Sequence, residues 1–318
     1  MPRTDHGRIF AAMTNPDPAH RPPPAGGGAT YLLLVALVVI WAVNFTVAKA
    51  AMAHLTPLAF NALRFPLAGL VVFAFLAARG RLPHPAPGDR VRLVLLGVLG
   101  NVVYQLLFIY GLANTRAGTA SIVLAGTPML TALLSAAVGH ERVDRRVWIG
   151  VLSTMVGIAL VVVAGGQEVT TGEETLVGDL LMVGASFAWA GYTVGSRNYI
   201  HRYGPVALTG WTLWVGGAGL VVLGIPDLVA TDWAGVHAAT WAAVIYSGAF
   251  SIGAAYLIWY TAVRSIGNTR TATFTNLVPA VALAVAWLGL GEVPTLGQLT
   301  GAGIIIAGVT LAQIRSRA

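Results

Sequence analysis

Cysteine is absent from the 318 residues, which excludes disulfides, thiolate zinc sites, iron–sulfur clusters and cysteine nucleophiles. Charge is scarce too. Only 10% of residues are charged, where a soluble domain carries about 25%, so water is not the solvent for most of this surface. The seven histidines, His6, His20, His54, His84, His140, His201 and His237, fall in the N-terminal stretch or near the ends of apolar runs. No His-x-x-x-His pair occurs, so a histidine metal site is not expected. No Gly-x-x-x-x-Gly-Lys-Ser/Thr loop is present, and no polar stretch is long enough for an ATPase. Neither a metal nor any other cofactor is expected.

What is present is hydrophobic sequence, 56% of the chain. The net charge of +7 would suit nucleic acid only if the basic residues formed one folded face. They sit instead singly or in small groups between long apolar runs, so the expected partners are a lipid bilayer and a small solute, with no nucleic acid. Residues 1–30 hold six of the sixteen prolines (Pro2, Pro16, Pro18, Pro22, Pro23, Pro24) and the run Gly26-Gly27-Gly28, a composition expected to form a disordered cytoplasmic tail. Ala48-Lys49-Ala50 resembles a signal-peptidase site. The apolar run before it, however, has a counterpart in the second half of the chain.

A membrane-spanning helix needs about 20 mostly apolar residues. Segments of that length lie at 31–51, 57–78, 92–112, 118–138, 147–165, 178–197, 205–225, 240–263, 269–290 and 297–314. The alternation of a membrane β-barrel is missing. An all-α membrane protein of ten transmembrane helices is therefore expected. With a cytoplasmic N-terminus, the inside segments would hold 16 of the 19 Lys and Arg residues, among them Arg79, Arg81, Arg90, Arg92, Arg142, Arg145 and Arg146. The outside loops would hold Arg116 with Glu168, Glu173, Glu174, Asp227, Asp232 and Glu292. That asymmetry follows the positive-inside rule and predicts a multi-pass protein of the cytoplasmic membrane with both termini inside.

The two halves also repeat. The stretch from Ile40 to Lys49 reads like that from Ala188 to Arg197, and Pro128, Glu141, Gly150 and Gly157 recur as Pro279, Glu292, Gly301 and Gly308. Five helices per half is an odd number, so the second half must enter the membrane from the opposite side. Inverted repeats are a transporter architecture, with the site near the midplane and rocking of one half against the other giving alternating access. The expected organisation is a first repeat over 31–165, an external acidic linker at 166–176, a second repeat over 177–314 and a cytoplasmic end at 315–318.

Trp41 to Lys49, then Pro57-Leu58-Ala59 and Arg64, then Pro128 with Glu141, resemble the EamA-type repeat of the drug/metabolite transporter superfamily. Tyr260-Thr261-Ala262-Val263, Pro279 and Gly291-Glu292 repeat it. The resemblance implies a ten-helix exporter of amino acids, related metabolites or drugs, with a central cavity lined mainly by helices 1, 3, 4, 6, 8 and 9.

Ionisable groups within a bilayer are costly and are functional suspects. Lys49 and Arg64 interrupt apolar segments toward the outer half, and no acid in their own helices neutralises them. They are read as a positive field for a substrate carboxylate. The alternatives are that Lys49 snorkels to the interface and that Arg64 ties down backbone carbonyls. Trp41, Asn44, Phe45, Ala48 and Lys49 share one helix face, and Asn101, Tyr104, Gln105 and Phe108 make a second stripe. Ser186, Trp189, Tyr192 and Thr193 make a third. Tyr246, Ser247, Ser251 and Tyr256, and Thr273 with Asn276, complete a set that would suit a pocket with apolar walls and a few orienting hydrogen bonds. The substrate-binding candidates are Trp41, Asn44, Phe45, Lys49, Arg64, Asn101, Tyr104, Phe108, Trp189, Tyr192, Tyr256 and Asn276. Pro128 and Pro279 are the candidate hinges, since each removes a helix hydrogen bond. Gly150, Gly157, Gly297 and Gly301 allow close helix contact, within the chain or at a homodimer face.

The reading is therefore an exporter of amino acids or related carboxylate-bearing metabolites. A lipid or drug flippase of the same fold is the alternative. A membrane-embedded enzyme would need a nucleophile with its base, a metal cluster or paired carboxylates at a wet depth, and none is visible.

Overall fold

The computed structural model describes residues 28–80, 84–139, 145–165 and 172–313. The N-terminal tail up to residue 27, the linker at 166–171, the chain end and Glu141 lie outside the described residues. Ten helical units follow one another, and no strand occurs among the described residues. In the first half they are α1 (Gly28–Ala51), α2 (Pro57–Ala78), α3 (Pro87–Asn114), α4 (Ala117–Ala137) and α5 (Arg145–Gly165). The second half holds α6 (Gly172–Tyr203), α7 (Pro205–Ala230), α8 (Ala238–Ile266), α9 in two pieces (Asn268–Thr275 and Val278–Leu290) and α10 (Leu296–Gln313). Eight of the ten are long and apolar enough to cross a bilayer by themselves, while the apolar part of α9 and α10 are shorter. Helices are what lipid requires, since every backbone polar group must find its partner inside the segment.

Local sequence sets the ends. Thr56 caps α2 by accepting from the Ala59 amide at 3.2 Å, and Pro57 opens the helix where its missing N–H costs nothing. A single residue joins α6 to α7 and another joins α8 to α9. Both are glycines at positive φ, Gly204 at 82° and Gly267 at 87°, a backbone conformation that other residues take up only at a cost. The segment at 269–290 is not one continuous helix: α9 breaks at Asn276–Leu277, and α4 breaks at Gly126. Pro128 and Pro279 each stand just inside the helical piece that follows the break. There the chain leaves the helix before the proline rather than bending around it.

The two halves are inverted, and four glycines make the geometry explicit. A Cβ added at Gly157 would lie 2.8 Å from the Gly301 carbonyl oxygen, and one at Gly308 would lie 2.9 Å from that of Gly150. Residue number rises along α5 as it falls along α10, so these equivalent helices pack antiparallel. Exchanging the halves turns one contact into the other, which is the signature of a twofold axis between them. The same exchange holds elsewhere. α1 packs on α8 as α6 packs on α3, α1 on α9 as α6 on α4, and α2 packs on α7 across the axis. Gly297 is filled from within the chain as well, since its Cβ would lie 2.3 Å from that of Ala164. The largest buried cluster runs through both halves, from Phe45 and Phe60 to Ile109, Val161, Met182 and Ile305. Leu32, Val91, Val229, Leu288 and Leu296 turn outward and are more than 70% exposed, as a lipid-facing surface demands.

Candidate functional site

Arg64 lies on the seventh residue after Pro57, about 10 Å into the span at 1.5 Å per residue, and is 1% exposed. Burial of a guanidinium is tolerated only when its donors are used. Its Nε donates to Asn61 Oδ1, Nη1 to Ser247 Oγ and Nη2 to Gln105 Oε1, each at 2.8 Å. Ser247 passes the chain on by donating to Asn44 Oδ1 at 2.7 Å. Four helices from both halves thus meet at one cation, and every acceptor is neutral. A guanidinium carries five N–H groups, so two remain beyond these three bonds. Phe60, Phe65 and Phe108 surround it, with ring centroids 4.9, 5.8 and 5.7 Å from Cζ. Such walls exclude water and strengthen any charge pairing inside them.

Two local features bring the backbone so close. α3 and α8 each contain a stretch of π-helix, Val98–Val103 and Tyr246–Ala254. π-stretches occur often at functional sites because they re-aim side chains and free carbonyls. Gly248 lies in the second, and a Cβ there would meet the Arg64 carbonyl oxygen at 2.4 Å. Gly100 lies in the first and gives its space to the Tyr192 ring.

Beside the cation stands an aromatic group. Trp189 sits 4.9 Å from Tyr104, 5.2 Å from Tyr192 and 6.3 Å from Tyr256 by ring centroid, the last nearly parallel at 8°. Tyr104 continues to Phe108 at 5.9 Å, and Phe108 to Phe45 at 5.9 Å. Tyr104, Trp189 and Tyr256 lie among helices of both halves and are half-buried.

Of the residues singled out in the sequence, Asn44, Phe45, Arg64, Tyr104, Phe108, Trp189, Tyr192 and Tyr256 come together here. Trp41 stands next to them, donating from Nε1 to the Ser251 carbonyl oxygen of the π-stretch at 3.0 Å. Asn101 is buried against α7, where a Cβ on Gly216 would lie 2.2 Å from its own. Asn276 is drawn away to α10, its amide donating to Thr310 Oγ1 at 3.3 Å. Lys49 is separate too. Its ammonium donates to the carbonyl oxygens of Leu112, at 3.2 Å, and Thr115, the orphan acceptors at the end of α3 that a helix C-terminus offers to cations. Pro128 and Pro279 mark the breaks in α4 and α9 described above. Asn61 escaped the sequence reading, although its i, i+3 spacing from Arg64 places both on one face. An open cleft of about 290 Å³ between the α1–α2 turn and the end of α7, lined by His54, Thr56, Asp227 and Asp232, holds none of these residues.

The EamA-like transporter family model matches residues 28–163 and again 176–313. The chain belongs to this family. Among EamA-like relatives, a probable terminal-alkyne amino-acid exporter of Streptantibioticus cattleyicolor is 29% identical over 89% of this chain and 92% of its own. A probable amino-acid metabolite efflux pump of Salmonella typhimurium is 27% identical over 86% of this chain and 91% of its own. The uncharacterized transporter YyaM of Bacillus subtilis is 26% identical over 85% and 88%. One crystal structure shares the EamA-like fold at TM-score 0.63 and 20% identity, covering 90% of this chain and 96% of that one. The protein is thus a multi-pass membrane transporter rather than an enzyme.

Proposed function

We propose that the protein exports small carboxylate-bearing solutes of the amino-acid type by alternating access, with Arg64 receiving the carboxylate. One observation carries this reading. Arg64 is a fully buried guanidinium whose described partners are all neutral, and a carboxylate would complete both its hydrogen bonding and its charge. The Trp189, Tyr104 and Tyr256 faces would take the apolar part of the solute. Two relatives, named as a probable amino-acid exporter and a probable amino-acid metabolite efflux pump, support the same class.

In this reading the repeats 31–165 and 177–314 rock about the seam of α5 and α10. Both termini face the cytoplasm, and the protein lies in the cytoplasmic membrane. Cysteines introduced singly can test the orientation, because the natural chain has none. A cysteine in place of Gly80 should react only from the cytoplasmic side, and one in place of Ala234 only from outside. The deciding experiment is counterflow in proteoliposomes loaded with pooled amino acids and organic acids. Saturable exchange, competed by carboxylates and not by their amides, is the expected result. Lipid scrambling without exchange would establish the flippase alternative instead.

A further inference from the structure

The central site leaves one buried charge unused. Asp179 on α6 is 0% exposed. Its Oδ1 accepts from Thr115 Oγ1 at 2.5 Å, and its Oδ2 has no hydrogen-bond partner. No cation lies within ion-pair distance of it among the described residues. It sits where the halves meet at the end of α3, and the fit is tight. A Cβ on the neighbouring Gly178 would lie 2.5 Å from the Asn114 carbonyl carbon.

The opposite end of the molecule supplies the comparison. Under exchange of the halves, the contact of Asn114 with Gly178 becomes that of Ser265 with Thr30, whose hydroxyls pair at 3.2 Å. That contact pairs two hydroxyls. The other contains a carboxylic acid. On the orientation proposed above, the acid is at the external end.

We propose that Asp179 is a proton-binding latch: it holds a proton while the external end is closed and releases it to the outside as α3 and α6 part. A carboxylate with one unpartnered oxygen in a dry contact is costly, whereas the neutral acid fits the same space. Opening admits water and lets the group ionise. Among the described side chains, the titratable groups near this contact are Lys49 on α1, Tyr110 on α3, Arg116 in the turn before α4 and Glu292 after α9. α4 and the adjoining end of α5 bring none. Lys49 is held by the Thr115 and Leu112 carbonyls, and Glu292 by the Ala117 and Gly118 amides. Because closing takes up a proton, external acid favours the closed end and external base the open one.

The inference rests on the transporter reading, but its first test does not need a substrate. Infrared spectra of the full chain in liposomes should show the carbonyl stretch of a buried neutral acid, lost in Asp179→Asn and moved in Thr115→Val, which keeps the acid and removes its hydroxyl partner. The second test uses a cysteine in place of Ala48, which is 0% exposed and lies one turn outward of Asn44. Its labelling by an impermeant maleimide from outside, normalised to a cysteine at the exposed Ala234, should rise with pH through the interval between the ordinary carboxylate range at about pH 4 and the pH at which the closed contact itself loses its proton, approaching about tenfold per pH unit there. In the Asp179→Asn background it should stay low and flat. Identical carbonyl bands in wild type and Asp179→Asn, a flat profile with Asp179 present, or the same rise without it would each overturn the latch. Loss of counterflow alone would count against the transport reading and leave the carbonyl band to be read.

Discussion

Arg64 Nη2 donates to Gln105 Oε1 at 2.8 Å, tying the buried cation of α2 to an uncharged acceptor on α3. The pair explains how the bilayer interior tolerates the charge without cancelling it. The residue 148 positions later, where α7 repeats the Pro-x-Ala opening of α2, is Thr212, which hydrogen-bonds the Tyr192 hydroxyl at 3.2 Å. Under the internal twofold, the cation is therefore one-sided. A solute with one anionic end would bind in one orientation.

Arg64→Ala should lower carboxylate counterflow at least about tenfold, equivalent to about 1.4 kcal/mol of binding. It should also destabilise the fold, since Gln105 and Asn61 then lose a donor at about 1–3 kcal/mol each. Arg64→Lys separates the two effects. A lysine keeps the charge and loses the planar fork, so it should restore stability more than transport. Thermal unfolding in detergent and counterflow, read on the same preparations, check this.

The seam of α5 and α10 offers a test of the twofold itself. Gly157→Ala brings its methyl to 2.8 Å from the Gly301 carbonyl oxygen, and Gly308→Ala brings its own to 2.9 Å from that of Gly150. Backbone cannot move aside as a side chain can, so each should cost about 1–3 kcal/mol of overpacking. The two costs should be similar, measured by denaturation of the purified variants. A large cost at one position and none at the other would contradict the symmetry of the seam.

Much of this was legible in the sequence because hydrocarbon thickness fixes helix length and lipid excludes the alternatives. The ten segments, the repeat and the presence of a cation at Arg64 within a span follow from those constraints. The partners of Arg64 do not. Gln105 and Ser247 could be read only as stripes, because which faces converge depends on how α3 and α8 are wound, and a π-turn leaves no mark in composition. Lys49 looked like a companion of Arg64 because both are cations in apolar sequence, yet the carbonyls closing α3 lie nearer to it in space. Asp179 stood at the edge of the apolar run beginning near residue 178. The helix starts earlier, at Gly172, since water outside can satisfy the first turn, and that extension carries the acid into the contact between halves.

Glu292 joins the halves at the end that the proposed orientation places outside, its two oxygens accepting from the Ala117 and Gly118 amides at 3.1 and 3.2 Å. A carboxylate at a helix start is favoured by both hydrogen bonding and the helix dipole, and losing it costs about 0.5–2 kcal/mol. Glu292→Ala should therefore loosen the external closure at every pH, and Glu292→Gln, which keeps one acceptor, should do so less. The cysteine at position 48 provides the measurement, with faster labelling from outside as the expected outcome.

Trp189 is placed to report on the solute directly. It touches three tyrosines from three helices, so a solute bound beside it should change its emission. The chain has nine tryptophans, and most of the signal will come from others. Trp189→Phe keeps a ring in the cluster while removing this indole. Trp148→Phe removes one that is 47% exposed on the outer surface. A transported carboxylate should change the fluorescence of the wild type and of Trp148→Phe alike and leave Trp189→Phe unaffected. Trp189→Ala, which empties the space, should in addition cost about 3–5 kcal/mol of stability. If the response survives in Trp189→Phe, the solute binds away from the aromatic group, and Arg64 would then have to hold it from another side.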